Sequence, residues 1–185
     1  MDTATFNALI MLIQPHQKRW SQDFIEIKSV LKNALLPLDL RIEHIGSTSV
    51  PGLAAKPIID IDIVLGKHIE FGEIKVKLEA IGYRHNGDQG VKNREAFKRA
   101  DARSKHPKLD IIRHHLYVCP HHSLELQRHL IFRDTLRTNE AVRRRYEAMK
   151  YRIAKEANQE NKQYANLKEI QAKEWINAVI EEART

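Results

Sequence analysis

The stretch from Ile42 to Leu65, IEHIGSTSVPGLAAKPIIDIDIVL, constrains the fold of this chain more than any other. Its last eight residues, Ile58 to Leu65, hold six Ile, Val or Leu and stop at Gly66, which fits a buried strand better than a helix. Alternation along a strand puts Asp60 and Asp62 on one face and Ile59, Ile61 and Ile63 on the other. Two carboxylates side by side on a largely buried strand repel each other and lose hydration, which is costly unless something positive lies between them. A hard divalent cation, Mg²⁺ or Mn²⁺, is the usual partner of paired carboxylate oxygens. A solvated strand face carrying two acids explains the same pattern, and both readings stand at this point.

The residues just upstream favour chemistry. Leu38 to Ile45 reads as a second strand, with Arg41 and Glu43 on one face and Ile42 and His44 on the other. It ends at Gly46, and Ser47, Thr48 and Ser49 then offer backbone N–H groups and hydroxyls where a helical turn begins, a place suited to anions. A phosphate cradle one loop before an acid pair is a layout that phosphoryl chemistry needs. Lys56 is the one cation of the loop from Val50 to Pro57, where it suits a phosphate or simply the surface. His44 borders the pocket as a ligand contact or as a hydrogen-bonded packing residue.

The run EHIGSTSVPGLAAKPIIDI, Glu43 to Ile61, resembles the signature of the GrpB family (UPF0157) within the nucleotidyltransferase superfamily. That superfamily carries a Gly-Ser or Gly-Gly step followed by an acid–apolar–acid strand, matched here by Gly46-Ser47 and Asp60-Ile61-Asp62. FRDTLR, Phe132 to Arg137, is a second similarity, and Arg113-His114-His115-Leu116 a looser one. Where the family pattern has His-Leu-His this chain has His115-Leu116-Tyr117. The resemblance covers most of the chain. It implies an α+β, nucleotidyltransferase-like mixed sheet flanked by helices, with further helices at the C-terminus. It also implies transfer of a nucleotidyl group from a nucleoside triphosphate to an unknown acceptor, a small molecule or RNA. Asp60 and Asp62 would hold Mg²⁺, Gly46, Ser47, Thr48 and Ser49 would cradle phosphate, and Lys56, Arg133 and Arg137 would clamp charge. His115 would act as acid, base or ligand contact, and Asp110 is the one candidate for the third carboxylate that such enzymes commonly use. The alternative is a nucleotide- or RNA-binding module of the same fold without catalysis.

Composition agrees with this frame. Lys and Arg outnumber acids by 31 to 24, for a net charge of +7, which suits a phosphate-bearing partner and equally suits solvated helices. No apolar stretch is long enough to span a membrane, the N-terminus lacks a basic signal-like region, and Cys119 is alone, so a cytoplasmic setting is expected. At 185 residues one domain is expected, with a sheet core over about 38–120 and helices over about 121–185.

The remaining periodicities place helices at Lys18 to Leu35 and Ile69 to Ala80, a short strand at Glu95 to Arg99, and a strand at Leu109 to Val118. A basic loop over 85–108 surrounds the short strand. Three helices follow, starting near Ser123, Glu140 and Lys155. Arg133 and Arg137 lie one turn apart and share a face, available to a phosphate or to neighbouring acids. The cluster HHLYVCPHH does not match zinc spacing, because adjacent histidines on a strand point in opposite directions.

Overall fold

A computed structural model describes residues 11–100 and 106–185. Basic positions 103 and 105 of the expected loop, and most of the apolar run over 4–13, lie outside the described residues.

The architecture is α+β. Five strands form one mixed sheet, β1 (Arg41–Ile45), β2 (Ile59–Leu65), β3 (Tyr83–His85), β4 (Glu95–Arg99) and β5 (His114–Pro120), in the order β1-β2-β5-β4-β3. Only β2 and β5 pair in parallel; the other neighbours are antiparallel. Two helices, α1 (Arg19–Ala34) and α2 (Phe71–Ala80), precede three more, α3 (Leu124–Thr138), α4 (Glu140–Glu156) and α5 (Asn161–Glu182).

One sheet face is apolar. Ile59, Ile61, Ile63, Ile42, Leu116 and Val118 pack there against Trp20, Ile27 and Leu31 of α1 and Ile74 and Leu78 of α2. Each such side chain, once fully buried, contributes roughly 1.5–3 kcal/mol. The opposite face carries Asp60, Asp62, His115 and Tyr117, and α3 crosses it through Leu126, which packs on Val64 and Cys119. Ser123 caps α3 by accepting from Leu126 N–H at 3.3 Å, and Asn139 caps α4 through Val142 N–H at 3.1 Å. Helices α4 and α5 part at Asn158 and Gln159, both at positive φ, three and four residues beyond the expected boundary near Lys155.

Two expectations are corrected. The strand expected over Leu109 to Val118 starts at His114 and runs on to Pro120. Residues before it form turns in which Asp110 N–H donates to the His106 carbonyl and Ile112 N–H to that of Lys108, while Leu109 and Ile112 fill the core. The basic loop also begins within β3, whose three residues are too few to show a period.

Candidate active site

A cavity of about 440 Å³ opens between the acidic sheet face and the C-terminal helices. Its sheet-side wall comprises Gly46, Ser47, Thr48, Asp60, His115 and Tyr117, with Arg94 and His129 beside them. The register explains the grouping. On β5, His115 lies opposite Asp60 and Tyr117 opposite Asp62, while on β1 Glu43 lies opposite Asp62.

Gly46 is required twice. Its φ of 70° and ψ of −174° belong to a region that side-chain-bearing residues avoid, and a methyl group on its α-carbon would lie 2.3 Å from Asp60 Oδ2. The Gly-Ser step and the first acid are therefore in direct contact. Ser47 to Ser49 form one 3₁₀ turn, and Ser47 and Thr48 line the cavity. The Thr48 hydroxyl is already engaged, donating to the Ile58 carbonyl at 3.2 Å and meeting His44 Nε2 at 3.1 Å. Ser49 turns away and donates to the Gly46 carbonyl at 2.6 Å.

The two acids share a face but not an environment. Asp60 fronts the cavity and its Oδ1 takes His115 Nδ1 at 2.9 Å. Asp62 is fully buried, with Oδ2 held by His129 Nδ1 at 2.8 Å and Oδ1 without any hydrogen-bond partner. The other nitrogen of His129 reaches Glu125 Oε1 at 3.3 Å. Burial pushes the Asp62 carboxyl up, against the pull of His129. Burial also opposes the His129 charge, but Asp62 and Glu125 outweigh it and lift the imidazole to about 9. At neutral pH His129 is thus an imidazolium between two acids, a cation built into the fold. Tyr117 beside it is raised to about 12 by burial and lies under the Arg94 guanidinium at 4.7 Å.

Arg133 and Arg137 hold the Gly-Ser turn from behind. Arg133 donates to Glu43 at 2.9 Å and to the His44 carbonyl at 3.1 Å, and is paired with Asp134. Arg137 places Nε and an Nη on the Ser49 carbonyl at 3.1 and 2.8 Å. Of the two, Arg133 borders the cavity and Arg137 does not. His44 stacks on Phe24 at 4.5 Å on the α1 side of the sheet, where burial lowers it to about 4 and keeps it neutral. Asp110 is an exposed partner of Arg99 at 2.8 Å, in the turn before β5, and so it is not the third carboxylate of this cavity.

Lys56 does face the cavity, with Nζ 5.1 Å from the centre of the Tyr164 ring. The helical wall around it carries Tyr146, Lys150, Tyr164 and Lys168, none of which the sequence singles out for chemistry. His129 and Glu125 also escape sequence reasoning. Their one signal is spacing: His129, Arg133 and Arg137 recur every four residues along one face of α3.

The acid pair is the natural place for a divalent cation, and the buried Asp62 Oδ1 is an oxygen that lacks a partner. Asp60 sits close enough that its charge also raises Asp62. Among the described residues, no group of three or more His, Cys, Asp or Glu is arranged to hold a metal. Asp60 lines the cavity, where it could present oxygens to a cation, while Asp62 lies buried outside the lining.

A β-sheet with an acid pair beside a Gly-Ser turn, walled by helices, defines a nucleotidyltransferase-like fold. Cid1, a poly(U) polymerase, in complex with its short product ApU, shares that fold at a TM-score of 0.51 and 14% identity, over 83% of this chain and 46% of that one. The family described as GrpB protein matches residues 11–182, and the chain belongs to it. The crystal structure of conserved protein GrpB from Enterococcus faecalis superposes at a TM-score of 0.74 with 30% identity, covering 92% of this chain and 96% of that one. UPF0157 protein YqkA of Bacillus subtilis is 30% identical over 169 residues, 91% of this chain; the match spans 46% of YqkA.

Proposed function

We propose that the cavity binds a nucleoside triphosphate and transfers its nucleotidyl group to an acceptor hydroxyl or amine. The observation that carries this reading is the direct contact between Gly46 and Asp60, which puts the backbone of the Gly-Ser turn against a cavity-facing carboxylate. Asp60, with Asp62 behind it, would hold Mg²⁺ or Mn²⁺, which would supply positive charge to offset that on the phosphates.

This chain's own residues do the rest. Ser47 and the backbone of the turn orient the triphosphate, and Arg133 and Arg137 keep the turn in place through the His44 and Ser49 carbonyls. Asp60 takes His115 Nδ1–H, which leaves His115 Nε2 to accept the acceptor's proton. The acceptor oxygen or nitrogen then bonds to the α-phosphorus as the bond to pyrophosphate breaks. His129 holds the second acid, Asp62, rigid beneath the site.

A non-catalytic nucleotide- or RNA-binding module is the second reading. It is favoured by β5, where His115 and Tyr117 stand beside the two acids and no carboxylate does. Thermal shift with the four nucleoside triphosphates, with and without Mg²⁺ or Mn²⁺, separates the two. Metal-dependent stabilisation that vanishes in Asp60→Asn supports the transferase-type site, and stabilisation indifferent to metal supports the module. Transfer of labelled α-phosphate to an acceptor in lysate then tests turnover.

A further inference from the structure

The cations bordering the cavity fall into two groups. Arg94 lies 3.9 Å and Arg128 3.5 Å from Glu125, Arg133 lies 2.9 Å from Glu43, and Lys173 lies 2.7 Å from Glu169. Lys56, Lys150 and Lys168 have no carboxylate within ion-pair distance among the described residues. These three come from separate segments, the loop after the Gly-Ser turn, α4 and α5.

Aromatic rings hold them in place. Lys150 Nζ is 4.8 Å and Lys168 Nζ 5.9 Å from the centre of the Tyr146 ring, and Lys56 stands over Tyr164. Lys150 is almost fully buried and donates to the Ala54 carbonyl, while Glu147 accepts from Ala54 N–H at 2.7 Å. Helix α4 thereby grips the loop two residues from Lys56 and fixes where that lysine points. Burial, and after it the charge of Lys168, lowers both Lys56 and Lys150, the latter to about 7, so the three amino groups are near enough to feel one another. Gathering lysines that have no carboxylate within ion-pair distance among the described residues is unfavourable until an anion arrives.

We propose that Lys56, Lys150 and Lys168 form a polyphosphate subsite on the helical wall that works without a metal ion. The three lysines come from three segments and stand over two rings, an arrangement suited to a chain of phosphates. The subsite deepens the reading of the cavity as a nucleotide site and rests on it for the ligand's identity: the lysines take the phosphates beyond the one nearest Asp60. Their charges would substitute for cations that an otherwise similar pocket would recruit from solution.

Titration with inorganic tripolyphosphate in EDTA, followed by calorimetry, isolates the subsite from the acid pair. The expected result is binding by the wild-type chain, weakened tenfold or more in Lys56→Gln with Lys168→Gln, and not weakened in Asp60→Asn. No binding in EDTA, or equal affinity in the double variant, overturns the proposal. A measurement on the unaltered protein guards against misfolding of the variant. Tripolyphosphate should slow acetylation of Lys56 and Lys168, read by mass spectrometry, and leave exposed Lys162 unaffected; unprotected Lys56 and Lys168 also overturn it. Loss of nucleotidyl transfer with tripolyphosphate binding intact would sink the transferase reading alone.

Discussion

The two walls of the cavity handle charge in opposite ways. On the sheet side each acid has a fixed partner: Asp60 takes His115, Asp62 takes His129, and Glu43 takes Arg133. On the helical side Lys56, Lys150 and Lys168 have aromatic rings and a backbone carbonyl for company, and no carboxylate within ion-pair distance among the described residues. A neutralised wall is stable on its own and positions groups; an uncompensated wall waits for a ligand. The same cavity therefore combines a part that the fold completes and a part that an anion must complete.

The sharpest way to break this contrast is to strip the sheet side of its internal cation. His129→Ala leaves Asp62 buried and unpaired, and urea denaturation should show a loss of about 3–5 kcal/mol. A loss under 1 kcal/mol would mean that Asp62 is hydrated or protonated, and the contrast would fail.

The pH dependence follows from the same group. Its imidazole sits at about 9 in the folded chain against 6.5 for a free histidine side chain. The raised value means that its contribution is complete below pH 6.5 and lost as pH rises through 9. Chemical unfolding at pH 6.5 and 9.5 should show this decline, and His129→Ala should flatten it.

Gly46→Ala adds a methyl group against Asp60 at a strained φ, so a cost of about 1–3 kcal/mol in thermal unfolding is expected. Nucleotide affinity should fall with it, because Asp60 must move. Arg137→Ala removes two hydrogen bonds to the Ser49 carbonyl at a half-exposed site, where a loss of about 1 kcal/mol is expected. The smallest effect on stability belongs to the helical wall: Lys168→Gln should change it by less than about 0.5 kcal/mol. That near-neutrality, beside a strong effect on anion binding, would sharpen the comparison.

Much of the sheet side was legible in the sequence. Strand alternation is a local rule, so it puts Asp60 and Asp62 on one face and sets Ile42 and His44 opposite Glu43 without knowledge of the fold. What each acid binds is not local. His129 meets Asp62 across 67 positions of sequence, and only the docking of α3 on the sheet brings them together. The Arg133 and Arg137 pair was legible as one helix face, while its targets, two backbone carbonyls of the Gly-Ser turn, depend on that same docking. Asp110 was misleading because an acid beside apolar residues mimics a strand, when its carboxylate in fact closes a turn onto His106 N–H and pairs with Arg99. Lys150 and Lys168 read as ordinary polar positions of amphipathic helices, since nothing in a helical period shows that a polar residue faces a cavity.

The account depends on Asp60 meeting phosphate beside Gly46. A crystal soaked with Mn²⁺ and a non-hydrolysable nucleoside triphosphate, with anomalous scattering recorded at the manganese edge, tests that directly. An anomalous peak at Asp60, with the outer phosphates on the Lys56 and Lys168 side, is the predicted result. Nucleotide seated elsewhere, or manganese absent from Asp60 while nucleotide is bound, would contradict it.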